Sequence, residues 1–479
     1  MTPMNDRIPW FLTSVLLLLP ADFFAAPASA SSGIPVAALA DGTHEYADEG
    51  LRFADYSHTL HAVFAAGGLS RSSEMGHENY RPELGGDIMR ERGERWLRLL
   101  RKIDRKFHEQ GRLYPFATTD GHSDDKTPPR LSDYPHGVYA YHMHHRAGRW
   151  EAHGLETAIT YAGLPYLVEP GIRLLEEHFA DGRFYADKTQ TRFDNGSMAH
   201  GLAGLAGHAY AWARWKKPEG AEDMGAVPLP RLKAWLRYGP DELAALLRES
   251  ASVLGNAWDS RRKAYVFGDD PVWSLEEIGS LLRGAKVIYE TLYIFGDDEA
   301  RTAGETVFNQ TAAMLREVLK LSRDWGLPER VAFTENGAEA ASDRVDTAAL
   351  WNLVNHAGSG FALFSEGDGM SPWFSASGLG TEVAAAIDRW LLGAPEHHLK
   401  DGWIVAAVSY GSGEVIDDRF ATVTAGQFTV AAANNYGRGE SFVRAADWDA
   451  AGADLVERTR DLYDTILRHA ERLESRISD

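Results

Sequence analysis

The sequence contains no cysteine among its 479 residues. This absence excludes zinc sites with thiolate ligands, iron–sulfur clusters, a cysteine nucleophile and disulfide bonds. Positive charge is also scarce, since 49 Lys and Arg stand against 69 Asp and Glu and the formal net charge is −20. Binding to nucleic acid through phosphate contacts needs a clustered excess of Lys and Arg. We therefore expect no nucleic-acid partner.

Long apolar runs are scarce as well. The run near the amino terminus, residues 8–19, is shorter than the roughly 18–20 residues that a membrane-spanning helix needs. It follows Arg7, and Ala28-Ser29-Ala30 behind it fits the small-x-small pattern of signal peptidase sites. We predict a signal peptide over residues 1–30 and a single domain over residues 31–479. The mature chain would have no transmembrane segment and would be periplasmic or secreted; a retained membrane anchor is the alternative.

Apolar and aromatic residues, in contrast, are plentiful. Hydrophobic residues make up 44% of the chain and aromatic residues 11%, so the chain can bury a large core and extensive disorder is not expected. The high tryptophan count, 14 residues, is the only feature of the composition that indicates ligand binding.

Two kinds of predicted helix alternate along the chain. One kind is charged and carries apolar residues every three or four positions. The other is poor in charge and rich in Gly, Ala and aromatic residues on all sides, which is typical of a helix enclosed by other elements. The charged segments are residues 96–107, 155–179, 241–258, 299–324, 381–392 and 453–475, and the enclosed segments are residues 51–66, 134–147, 196–215, 275–295, 347–364 and 420–436.

The alternation forms a six-fold repeat with a unit of roughly 75 residues. Most charged helices lead into a short aromatic strand and then a polar, acidic loop, and we predict that these strands pair as small hairpins at one rim. The connectors are residues 111–116, 182–188, 263–269, 329–335 and 402–408.

This repeat resembles the six-hairpin (α/α)6 toroid superfamily over nearly all of residues 40–476. The resemblance implies an all-α fold in which six inner helices form a barrel and six outer helices wrap it. It also implies a carbohydrate-active enzyme, because glycoside hydrolases, unsaturated glucuronyl hydrolases, polysaccharide lyases and sugar epimerases dominate that superfamily. Their active site lies where the connectors into the inner helices converge. Lanthionine-cyclase and prenyltransferase toroids need cysteine ligands, and a terpene cyclase needs an Asp-x-Asp-Asp motif; both features are absent.

Acidic residues stand at the start of all six predicted inner helices. Any single one is explained by capping, because a carboxylate accepts hydrogen bonds from the first N–H groups of a helix. Glycosidic cleavage, however, needs two carboxyl groups, one protonated and one ionised. Our leading pair is Asp194, directly before the most Gly/Ala-rich helix, and Glu276, which follows an aromatic entrance. Asp346 and Asp133 are the next candidates.

Two other functions stay open at this point. A polysaccharide lyase or uronate epimerase would use a Tyr or His base with a charge-neutralising partner. Tyr134, His136 and Arg130 could fill those roles, and Asn355-His356 is similar to the Asn–His pair of some alginate lyases. The third interpretation is a non-catalytic binding toroid that retained only the scaffold.

The remaining predictions concern substrate and metal contacts. Sugar rings stack on aromatic faces. Six tryptophans lie near predicted helix ends and connectors, and we expect two or three of them to contact substrate; the six are Trp150, Trp212, Trp273, Trp351, Trp373 and Trp403. The predicted substrate contacts are Trp273, Trp351, Trp373, Asn195, His200 and Arg130. We predict no cofactor and no metal, since His142 and His145 share a helix face without a matching carboxylate. Acidic loops such as residues 120–125 could take calcium, although they do not match an EF-hand. The oligomeric state stays open.

Overall fold

The computed structural model describes residues 175–206, 238–268, 271–357, 379–400 and 403–421, with single helical residues at 209, 424, 427, 428 and 431 and four two-residue strands nearer the amino terminus. The described part is mostly helical with short strands. The predicted signal peptide and the boundary at residue 31 lie outside these residues, so both stay predictions.

The longer helices follow the two predicted classes. Their bounds are α1 Asn195–Gly204, α2 Pro240–Ala257, α3 Leu275–Phe295, α4 Asp298–Leu319, α5 Thr347–Ala357 and α6 Leu379–His397. Helices α1, α3 and α5 lie in enclosed segments, and almost every described residue of α5 is buried. Helices α2, α4 and α6 lie in charged segments and bury one face, as their spacing of apolar residues predicts. The alternation is therefore confirmed within the described ranges.

Short antiparallel strands fill the connectors. They are β1 Ala37–Ala38, β2 His44–Glu45, β3 Leu51–Arg52, β4 Phe116–Ala117, β5 Phe179–Ala180, β6 Arg183–Phe184, β7 Trp258–Asp259, β8 Ala264–Tyr265, β9 Val272–Ser274, β10 Arg330–Thr334, β11 Gly337–Ala340, β12 Arg344–Asp346, β13 Leu399–Lys400, β14 Trp403–Ile404, β15 Ala407–Ser409, β16 Val415–Asp417 and β17 Phe420–Ala421. Three-stranded sheets have the orders β17-β1-β2, β11-β10-β9 and β12-β15-β16, and the other strands pair as β3-β4, β5-β6, β7-β8 and β13-β14. Hairpins are present as predicted in the connectors that contain β5-β6, β7-β8, β10-β11 and β13-β14. Strand β4 instead pairs with β3, and residues 51–52 and 420–421, predicted as the starts of enclosed helices, are strands.

The helices form two layers. Helix α3 contacts α1 and α5 within one layer, and α2 and α4 behind it. Helix α4 in turn contacts α2 and α6, so the charged helices neighbour one another in the second layer. An inner layer of α1, α3 and α5 and an outer layer of α2, α4 and α6 is the arrangement that the alternation predicts for part of a toroid. Closure of the two layers into a ring of six pairs stays a prediction.

Hydrogen bonds from one connector to the next align the starts of the inner helices. The backbone N–H of Leu275, at the start of α3, donates to the carbonyl of Glu329 at 2.8 Å, and that of Thr347, at the start of α5, donates to the carbonyl of Ala406 at 3.0 Å. At the start of α1, the Asn195 Nδ2 donates to the carbonyl of Val272 at 2.9 Å. Each inner helix therefore begins beside the connector of the following unit, which brings the starts of α1, α3 and α5 to one rim.

The sheet registers extend this alignment. In β9 and β10, Trp273 lies opposite Val331, and in β12 and β15, Val345 lies opposite Val408. These four side chains are fully buried. Because successive side chains of a strand point to opposite sides, the residues on either side of Val345, Arg344 and Asp346, lie on the other face of β12.

Small residues let the inner helices approach closely. A Cβ at Gly284 of α3 would lie 2.5 Å from the Cβ of Leu202 in α1. A Cβ at Gly279 would meet the Cα of Leu353 in α5 at 3.3 Å. The Gly- and Ala-rich composition of the enclosed segments is therefore a packing requirement of the inner layer.

Replacing Gly284 by alanine tests this packing. The new methyl group would collide with the Cβ of Leu202, which is bonded directly to the backbone and cannot rotate away. We expect Gly284→Ala to lower the free energy of unfolding by about 1–3 kcal/mol, as overpacking does, measured from denaturant unfolding curves.

Gly255 provides the matched control. It lies on the exposed face of α2, and a Cβ there would meet nothing within 4 Å. We expect Gly255→Ala to raise the free energy of unfolding by about 0.5–1 kcal/mol, because alanine restricts the unfolded chain and favours helix. Shifts of the two variants in the same direction would contradict close packing at Gly284.

Candidate functional site

One carboxyl group at the start of α3, that of Glu276, takes no part in capping the helix. Ser274 and Glu277 cap this helix: the N–H of Glu277 donates to Ser274 Oγ at 3.2 Å, and the N–H of Ser274 donates to Glu277 Oε2 at 2.8 Å. This reciprocal pair is a capping box. Glu276 lies between the two and makes no hydrogen bond or ion pair within the described part of the chain. Its carboxyl is therefore not needed to begin the helix.

The surroundings of Glu276 favour its protonated form. The side chain is exposed, and partial loss of hydration beside the surrounding protein, together with the negative charge of Asp346, raises the pKa of Glu276. Desolvation and a second carboxylate both disfavour the ionised form of a carboxyl group.

In the ranges that the structure describes, Asp346 has hydrogen-bond donors that Glu276 lacks. It caps α5, because its Oδ1 accepts a hydrogen bond from the N–H of Ala349 at 2.9 Å. Its Oδ2 lies 3.5 Å from Arg344 Nη2. The structure therefore brings together two predicted acids, Glu276 without donors and Asp346 with two.

Asp194 lies at the same rim and has a clear structural role. Its Oδ1 accepts from the N–H of Ser197 at 2.8 Å, and its own N–H donates to Ser197 Oγ at 3.1 Å, which completes a capping box for α1. Its Oδ2 lies 3.3 Å from Arg192 Nε in an ion pair open to solvent. The charge that raises the pKa of Glu276 is that of Asp346, and catalysis by Asp194 with Glu276 stays a prediction.

Asn195 and His200 of α1 both contact the neighbouring inner unit. Asn195 is buried, and its Oδ1 accepts no hydrogen bond from the residues that the structure describes. The His200 Nδ1 lies 3.1 Å from Ser280 Oγ, and Ser280 is one turn beyond Glu276 on α3. His200 is thus held on the side of α3 that carries Glu276, within the same part of the fold as the acid pair.

The structure places Trp273 and Trp351 in the core and not on the surface of the rim. Both side chains are fully buried. The Trp273 Nε1 donates to the carbonyl of Tyr265 at 3.0 Å, and the Trp351 ring packs edge-on against the rings of His398 and Phe428. Neither ring offers a face to a sugar. Their positions near helix starts indicated a rim contact, but β9 points Trp273 inward and α5 is enclosed on all sides.

Several predicted site residues lie outside the described ranges. These are Asp133, Tyr134, His136, Arg130 and Trp373. The Tyr/His base of the lyase hypothesis and the third tryptophan contact therefore stay predictions.

The sequence analysis missed polar groups inside the inner layer. Lys286 is buried in α3 and donates a hydrogen bond to the backbone carbonyl of His356 in α5. Burial lowers the pKa of Lys286 to about 7, although the charge of Glu290 opposes this change. Asn355, half of the Asn–His pair noted above, donates instead to the Gln427 side chain in the core. The sequence did contain a signal for these groups, because Lys286 and Glu290 are charged residues in an otherwise apolar predicted helix.

It also missed Arg344. Arg344 and Asp346 are two residues apart in β12, which places both on the same face of that strand. The sequence pattern predicted no strand at these residues. Among the described residues, no group of three or more His, Asp or Glu is placed to hold a metal ion. No helix in those ranges is long and apolar enough to cross a membrane.

The sequence matches no protein-family model and no curated protein. Among solved structures, a sugar epimerase from a ruminal bacterium covers 85% of this chain and 92% of its own, with a TM-score of 0.48 and 11% identity. A D-mannose isomerase covers 85% of this chain and 93% of its own, with a TM-score of 0.45 and 10% identity. None of these comparisons assigns the chain to a family.

The environment of Glu276 predicts a pH-dependent gain in stability when it is replaced by glutamine. Below about pH 4.5 the carboxyl is protonated in the folded and unfolded states alike, so wild type and Glu276→Gln should melt at similar temperatures. Above this pH the unfolded chain ionises freely, whereas the folded chain must ionise a partly desolvated carboxyl beside Asp346. Wild type loses stability as the pH rises through the raised pKa.

We therefore expect the melting temperature of Glu276→Gln to exceed that of wild type at pH 7 by on the order of 2 °C or more. At pH 4 the two proteins should melt at the same temperature. Thermal denaturation followed by circular dichroism at both pH values measures the difference. Glu305→Gln, on the exposed face of α4, controls for the removal of one negative charge. A melting difference that is the same at both pH values would contradict the raised pKa.

Proposed function

We propose that this protein is a glycoside hydrolase that cleaves a poly- or oligosaccharide with Glu276 as general acid and Asp346 as its ionised partner. The observation that carries the proposal is Glu276 itself: its carboxyl is not used for capping, and its pKa is raised by desolvation and by the charge of Asp346. Paired carboxyl groups with opposed environments are what glycosidic cleavage requires.

The roles of the two residues follow from their contacts. Glu276 gives its proton to the glycosidic oxygen as the bond to the sugar carbon breaks, so the leaving group departs as a neutral alcohol. Asp346, stabilised by the N–H of Ala349 and by Arg344, attacks the sugar carbon or removes a proton from an attacking water. The first route retains the configuration and the second inverts it.

The rim geometry supports a sugar site at this end of the helices. The starts of α1, α3 and α5 lie together, and His200 of α1 lies on the side of α3 that carries Glu276. We propose that the described layers belong to a closed (α/α)6 toroid, in which six such starts converge on one mouth. If the predicted signal peptide directs export, the protein binds its substrate outside the cytoplasm.

A proton-abstracting lyase or epimerase is the second candidate, and His200 favours it. Its Nδ1 lies 3.1 Å from Ser280 Oγ, which orients the ring on the side of α3 that carries Glu276. An oriented imidazole beside a protonated carboxyl could remove a proton from a sugar carbon and return one. Unsaturated products that absorb ultraviolet light, or incorporation of solvent deuterium at a sugar carbon, would identify this chemistry. A hydrolase produces new reducing ends, with neither unsaturated products nor deuterium incorporated at a sugar carbon.

Leaving-group dependence tests the assigned roles. A 2,4-dinitrophenyl glycoside departs without help from an acid, whereas an ordinary oligosaccharide needs a proton on the leaving oxygen. We expect Glu276→Gln to reduce cleavage of unmodified oligosaccharides by about 10²–10⁴-fold, the usual contribution of a general acid, and to keep most activity on 2,4-dinitrophenyl glycosides. Asp346→Asn should lose activity on both, because the ionised carboxyl is needed with either leaving group.

The measurements are initial rates on a panel of oligosaccharides and of matching 2,4-dinitrophenyl glycosides, with the exposed Glu305→Gln variant as a control that retains full activity. Equal losses of the Glu276→Gln variant on both substrate types would remove Glu276 from the role of general acid. Full activity of both carboxyl variants on every cleaved substrate would contradict the hydrolase proposal.

A further inference from the structure

Arg344 lies among three carboxylates beside the acid pair. Its Nη2 is 3.5 Å from Asp346 Oδ2 and 3.4 Å from Asp417 Oδ2, and its Nε is 3.9 Å from Glu329 Oε2. The side chain is about one-third exposed, with a relative accessibility of 31%. At this partial burial a guanidinium interacts with its partners more strongly than on an open surface, because less water screens the charges.

The sheet determines where this guanidinium lies. Arg344 and Asp346 are the first and last residues of β12, so both point to the same face of the strand. The carbonyl of Arg344 accepts a hydrogen bond from the N–H of Glu329 at 2.6 Å. On the other side, β12 pairs with β15, and β15 pairs with β16, which ends at Asp417. The backbone around Arg344 is thus held by both neighbouring connectors.

Asp417 has a cation of its own. Arg419 donates to both carboxylate oxygens of Asp417, at 2.9 Å from Nε and 2.8 Å from Nη2. These bonds, with a smaller contribution from Arg344, lower the pKa of Asp417 to about 2. Arg344 is thus shared between Asp417 and Asp346, and its Nη2 lies at nearly the same distance from both carboxylates.

We propose that Arg344 is a positioning residue that orients the Asp346 carboxylate. Its Nη2 contacts Asp346 Oδ2, while Asp346 Oδ1 accepts a hydrogen bond from the N–H of Ala349. This inference rests on the proposed hydrolase function. Without Arg344 the Oδ2 atom loses its contact, and the carboxylate is held by the helix N–H alone. No bond to Arg344 itself forms or breaks in the reaction.

The inference predicts that loss of Arg344 resembles loss of Asp346. On 2,4-dinitrophenyl glycosides, which need no general acid, we expect Arg344→Gln to lower kcat by about tenfold, the factor that corresponds to one pH unit in a protonation equilibrium, with KM changed by less than about twofold. The acid side of its pH–rate profile should move to higher pH. Arg344→Lys keeps the positive charge and should recover part of the lost kcat.

Arg262→Gln is the matched control. Arg262 forms an ion pair with Asp259 in a different connector, at 3.0 Å and with similar partial exposure, so its removal does not touch Asp346 or Asp417. We expect kcat and the pH–rate profile of Arg262→Gln to remain close to wild type. An equal loss of kcat in Arg344→Gln and Arg262→Gln, or an unmoved pH–rate profile in Arg344→Gln, would overturn the positioning role.

A stability cycle separates failure of this inference from failure of the hydrolase proposal. Melting temperatures are measured for Arg344→Gln, Asp346→Asn and the double variant, without any substrate. We expect the sum of the melting-temperature shifts of the two single variants to exceed the shift of the double variant, because contacting residues are coupled. Additive shifts would overturn the inference whatever the activity. Non-additive shifts in a protein whose Glu276→Gln and Asp346→Asn variants keep full activity would instead overturn the hydrolase proposal alone.

Discussion

Close contact between the inner helices is the constraint on which the rest of the described structure depends. Helix α3 contacts other helices on several sides, and it approaches α1 where Gly284 leaves room for Leu202. A helix enclosed in this way cannot expose a polar stripe to bulk water, so its polar residues are paired inside or gathered at its ends. The connectors are then bonded to one another, and the helix starts form a common rim.

The candidate site is a consequence of that rim. A helix start needs a capping group, and Asp346 supplies one for α5. Once neighbouring starts are brought together, Glu276 lies close enough to Asp346 for the two negative charges to repel. This repulsion adds to the effect of desolvation, and both raise the pKa of Glu276. Arg344 contacts Asp346, and it also contacts Asp417 and Glu329.

The sequence pattern predicted the helices well because packing periodicity is a local property. The enclosed segment at residues 275–295 has the same bounds as α3, and Ser274 with Glu277 marks its start. The burial of Trp273 could not be predicted from the neighbouring residues, because a tryptophan beside a helix start can lie either at the rim or in the core. Its inward position depends on the pairing of β9 with β10, a contact between residues far apart in the chain.

The sequence by itself determined the alternation of charged and enclosed helices, the short strands between them and the presence of acids at the helix starts. Each of these depends on residues within a few turns of one another. Only the tertiary structure decided that Glu276 is affected by Asp346, that Asp194 has a capping role with an ion pair open to solvent, and that Arg344 contacts Asp346. A carboxyl group acquires its proton affinity from burial and from charges that distant segments bring within reach, and no local pattern encodes those distances.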